Sequence, residues 1–193
     1  LPTCNLNRSA NDHTEIFTMR PILPLSILLI ALGTAPAFAA GPCTGFKWDV
    51  SKELALFNGP SVALSAAKNA AAAPTIGADR FYQLQLLPQA EVAFAVTPAR
   101  STATDGAYAG LVNLKLDAPG SYRIAVDAPM WIDVAVNGKL ATSTDFQGQQ
   151  SCDGPHKIVE FDLSGGRQFI LQISGSAKTT IRLTVTQPPP RKL

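Results

Sequence analysis

An all-β fold, read as an antiparallel two-sheet β-sandwich of jelly-roll type with about 8–9 strands, is what this sequence predicts. Three observations carry the prediction. Short apolar–polar alternations recur between residues 40 and 187, and each places every second side chain on one face. Turn residues separate these runs at regular spacing, and helical periodicity is scarce.

Residues 52–57 and 61–64 are the first strand candidates. The alanine-rich stretch at 66–73 has helical propensity but is too short to hold a helix alone, so a surface loop with one helical turn is expected. Tyr82, Leu84 and Leu86 alternate with Gln83 and Gln85, which predicts a half-buried strand. A further strand is expected at 91–97, and the Thr-, Ala- and Ser-rich run at 97–107 reads as a mobile loop. Strands at 108–116 and 121–126 flank Asp117-Ala118-Pro119-Gly120, while strands at 158–163 and 168–173 flank Ser164-Gly165-Gly166-Arg167. Both connections read as hairpins. Ile132, Val134 and Val136 alternate with Asp133 and Ala135 and run into Asn137-Gly138, whose tolerance of positive φ makes it the strongest hairpin signal in the chain. A strand near Leu140 should follow. Residues 141–155 read as a polar loop, and Ile181, Leu183 and Val185 mark the last strand.

Residues 19–39 read as a signal peptide: Met19-Arg20, an apolar run over 22–32, and a small-residue ending at Ala37-Phe38-Ala39. The run falls short of the roughly 20 apolar residues that span a bilayer. The mature chain is therefore expected to have no membrane span and to be periplasmic or secreted. Residues 1–18 are polar, aperiodic and begin with Leu, and read as a non-native upstream extension, so Cys4 and His13 enter no site. Residues 40–187 form one expected domain, and 188–193, three prolines followed by Arg191 and Lys192, an expected disordered tail. Cys43 and Cys152 then make an even count in an oxidising compartment and are expected to form a disulfide.

The formal charge of +2 is spread along the chain without a basic run, which argues against a nucleic-acid partner. His156 is the only histidine beyond residue 39, so the 2-His-1-carboxylate site of a cupin-type dioxygenase cannot be assembled from one subunit. No G-x-S-x-G elbow is present. Asp49 with Glu53, or Asp145 with Asp153, are the available carboxylate pairs, and the second pair sits in a loop that suits calcium; neither has supporting aromatic platforms or EF-hand spacing. No catalytic residue, metal ligand or cofactor is assigned. Among the aromatic residues, Trp131 is out of phase with Ile132, Val134 and Val136, so it should point outward or lie at the rim. It is the first binding candidate, with Asp133, Asp145 and His156 as companions. Trp48 is expected to pack on the disulfide.

Three stretches carry a resemblance: Pro119-Gly120-Ser121-Tyr122-Arg123-Ile124-Ala125-Val126, Trp131 through Lys139 with its Asn-Gly-Lys ending, and Arg167 through Gly175. Their pattern is similar to bacterial exported β-sandwich modules, namely pre-peptidase C-terminal, carbohydrate-binding and PA14-like domains. The resemblance implies a stand-alone accessory module and assigns no calcium or sugar ligand. The function expected is a non-catalytic exported binding or accessory module for envelope polysaccharide or a protein partner. The alternative is a structural or interaction subunit of an envelope assembly, which a long uncovered hydrophobic edge strand would favour.

Overall fold

Alternation along a strand becomes a sheet only where the apolar face finds cover, and here two sheets cover each other. The structure, a computed structural model, describes residues 43, 45–100, 104–150, 152–164 and 168–189. The expected signal peptide and upstream extension lie outside the described residues, as do residues 190–193 of the expected tail. The described residues belong to one compact unit, Phe38–Leu193. None of their helices is long and apolar enough to cross a membrane.

The strands are β1 (Ser61–Ser65), β2 (Thr75–Gly77), β3 (Phe81–Gln85), β4 (Leu87–Pro88), β5 (Tyr108–Lys115), β6 (Ser121–Val126), β7 (Trp131–Val136), β8 (Lys139–Leu140), β9 (Ser143–Gly148), β10 (Lys157–Asp162), β11 (Phe169–Ser176) and β12 (Thr180–Thr186). The first sheet runs β1-β3-β12-β6-β10-β9 and the second β2-β5-β11-β7-β8, with β4 paired to β5. Leu84, Ile124, Phe161 and Leu183 from the first sheet meet Val112, Val134, Leu171 and Ile173 from the second in one buried core. Each such side chain contributes about 1.5–3 kcal/mol by leaving water. The core tyrosines keep their hydroxyls bonded: Tyr82 accepts the Gly77 N–H at 3.0 Å, and Tyr122 donates to the Ala118 carbonyl at 2.7 Å.

The two sheets hold twelve strands, not eight or nine, and they are mixed instead of antiparallel, because β1 pairs with β3 and β2 with β5 in parallel. Neither residues 117–120 nor residues 164–167 join neighbours of one sheet, because β5 and β11 lie in the second sheet and β6 and β10 in the first. Turn chemistry predicts a reversal but not which sheet receives the returning strand. Asn137-Gly138 does make the expected hairpin, with φ of 52° and 73°, and β8 follows it. Residues 51–57 form a helix, α1 (Ser51–Phe57), where a strand was expected over 52–57. Its buried positions, Val50, Glu53 and Phe57, follow helical spacing, and the glutamate among them conceals that period from a hydrophobicity reading. The expected loop at 141–155 contains β9, a polar edge strand that carries little apolar signal. The alanine-rich stretch has its single turn of helix at Ala70–Ala72.

Candidate functional site

The outer face of the second sheet should be wet, yet Leu111, Asp133 and Gln172 on it are buried. The segment 89–100 lies across it. Val92, Phe94 and Val96 are half-buried and their neighbours exposed, the alternation of a strand, but the segment's bonds run to the Lys68 and Ala107 carbonyls and to side chains of the sheet. Gln172 accepts the Val96 N–H at 3.0 Å and donates to the Val96 carbonyl at 3.0 Å, gripping the segment as a neighbouring strand would. Directly opposite Gln172 in the sheet, Asp133 accepts the Ala99 N–H at 3.1 Å. The strand expected at 91–97 is therefore a cover. Period two reports which side chains face inward, not what the backbone pairs with.

Where this cover ends, a groove of about 640 Å³ opens, lined in part by Arg100, Trp131, Phe146, Gln150, His156 and Lys157. Trp131 begins β7 on the outer face, half-buried as its phase requires. Its indole N–H donates to Asp133 at 3.0 Å, so that donor is occupied within the protein. Lys157 Nζ stands 4.8 Å from the Trp131 ring centroid and Arg100 Cζ 5.8 Å from it, both within cation–π range. Lys157 also donates to the Met130 carbonyl at 3.1 Å. Phe146, 65% exposed, projects from the edge strand β9. The turn between β6 and β7 that leads into Trp131 is anchored by Asp127, which accepts the Arg182 backbone N–H at 2.8 Å and lies 3.2 Å from the Arg182 guanidinium and from Lys178.

Burial pushes the Asp133 carboxyl above the ordinary carboxylate range, against hydrogen bonds from Ala99 and Trp131 and the pull of Lys157. Burial likewise lowers the Lys157 amine, and Arg100 adds to that lowering while Asp133 opposes it.

The opposite side of the molecule is closed by α1. Phe57 packs on Phe81 with ring centroids 5.2 Å apart, beside Ala125 and Ile158. Under the helix, Arg123 donates to Glu160 at 3.1 Å and to the Asp49 carbonyl at 2.9 Å, and lies 3.8 Å from Glu53, which accepts from Thr186 at 2.6 Å. Trp48 covers this guanidinium, 4.5 Å from ring centroid to Cζ. Cys43 and Cys152 are joined as expected, their Cα atoms 4.9 Å apart.

The candidate residues divide. Trp131 and His156 line the groove, and Asp133 holds Trp131 from behind. Asp145 is on β9 opposite Glu160, accepts the N–H of Phe146 at 2.8 Å and does not line the groove. Asp153 lies 3.5 Å from Arg182. Asp49 accepts the Ser51 N–H at 3.0 Å, and Glu53 is buried under α1 with Thr186 and Arg123, so this pair is split between the surface and the interior. Among the described residues no three His, Cys, Asp or Glu side chains are placed to hold a metal. Arg100, Phe146 and Lys157 belong to the groove without having been candidates. Phe146, the one large apolar residue in a polar run, is the signal that was there to read. The chain matches no protein-family model and no curated protein.

Proposed function

We propose that the protein is an exported, non-catalytic binding or accessory module of β-sandwich type, which holds an envelope polysaccharide or a protein partner at the Trp131 groove. The observation that carries this reading is the pairing of Trp131 with the exposed Phe146 in one groove beside polar side chains. Two aromatic surfaces flanked by hydrogen-bonding groups suit a sugar chain, whose rings have apolar faces and polar edges. Export is supported by the signal-like residues 19–39 and by the disulfide. The binding reading is preferred to a structural subunit because the edge strands of the described sheets offer little to strand addition. β2 and β8 have three and two residues, β9 is polar, and on β1 the exposed large hydrophobic residue is Val62.

A glycan array probed with the wild-type protein and with Trp131→Ala tests the proposal. Wild type should retain at least one polysaccharide class, and the variant should lose about tenfold in affinity, the effect of about 1.4 kcal/mol of stacking. A wild type that binds no glycan, or a variant that binds equally well, overturns the polysaccharide reading.

A further inference from the structure

The groove's electrostatics distinguish among sugars. Its lining carries Arg100, His156 and Lys157 and, among the described residues, no Asp or Glu. Asp133, the acid behind it, accepts from Trp131 with one carboxylate oxygen and from Ala99 with the other. Arg100 and Lys157 stand over the same indole, so two cations share one small space. Asp133 offsets part of this repulsion from behind the ring, and an uncharged ligand adds nothing to that offset. An anion set between the two cations removes the repulsion.

We propose that the Trp131 groove takes an acidic polysaccharide, with sugar faces on Trp131 and Phe146 and a uronate carboxylate between Arg100 and Lys157. The inference rests on the reading of Trp131 as a sugar-binding residue and adds the charge of the sugar. Burial lowers the Lys157 amine, Asp133 opposes that lowering and Arg100 adds to it, and a bound carboxylate would work in the same direction as Asp133. A polyacidic peptide shares the charge, but its backbone and carboxylates present no apolar ring face to Trp131 and Phe146, as a sugar does. Gln150, exposed at the rim, supplies an amide for sugar hydroxyls.

Isothermal titration of the full chain against uronate oligomers (galacturonate, glucuronate and mannuronate), uncharged cellohexaose and poly-glutamate tests the proposal, with wild type, Arg100→Gln and Lys157→Met. Arg100 is exposed, so its variant reads charge without disturbing packing. The expected result is that at least one uronate oligomer binds, that each variant weakens it about tenfold, and that cellohexaose binds at least about tenfold more weakly. Raising salt from about 20 to about 200 mM should weaken the uronate further as the charges are screened. Cellohexaose binding as tightly as the uronates, with both variants silent, overturns the acidic class and leaves the Trp131 reading standing. Poly-glutamate binding as tightly as the uronates, with the same dependence on Arg100 and Lys157, overturns the saccharide assignment. Binding of neither sugar class overturns both readings.

Discussion

Asp133 joins the sheet, the cover and the groove through one carboxylate: it holds the Trp131 indole, the Ala99 amide and the field of Lys157. Its raised folded pKa sets a sign. Between 3.8 and that raised value the native state binds more proton than the unfolded chain, so Asp133 contributes stability at low pH that is lost as pH rises through the folded value. Asp133→Asn removes this titration. In urea unfolding followed from about pH 6 down to about pH 4, the stability difference should move in favour of wild type as pH falls. A difference that is flat, or that moves the other way, contradicts the burial argument. At this scale the sequence showed the orientation of Trp131, because phase within a strand is a local property. It could not show Arg100 or Lys157 beside that ring, since residues 100, 131 and 157 meet only through the arrangement of the sheets.

Helix α1 and the first sheet are joined by charge as well as by apolar packing. Arg123 and Glu160 are cross-strand partners on β6 and β10, and Glu53 comes down from the helix, all three buried. Removing the cation while leaving two buried carboxylates should cost about 3–5 kcal/mol, so Arg123→Met is expected to be far less stable in urea titration. Adding Glu53→Gln and Glu160→Gln should recover much of the loss. A single variant within about 1 kcal/mol of wild type would show that the network carries little of the helix attachment. Elements with a clean alternation, such as β3, β6, β7 and β12, were legible from sequence because one face is apolar. Those with a polar residue in a buried position, or an apolar alternation used as a cover, were not. Glu53 hid the helix, and Val92, Phe94 and Val96 imitated a strand.

Across the whole molecule the disulfide joins residues 109 apart and fixes the segment that carries Trp48 and α1 to the stretch leading into β10. The chain-entropy model assigns such a closure about 4–5 kcal/mol. The double variant Cys43→Ser with Cys152→Ser should therefore unfold at markedly lower urea, with a loss of about 2–5 kcal/mol; a loss below about 1 kcal/mol would mean that α1 holds without the tether. The order of the first sheet has a separate consequence for timing. β12 lies between β3 and β6, so β1 and β3 reach the rest of that sheet only through the last of its described strands in chain order. A nascent chain lacking residues 180–186 has no route to a closed core, and non-local pairing of this kind is slow to form. Completion of that sheet must then wait until residues 180–186 have been made, which leaves β1 and β3 without their neighbour until that strand has emerged.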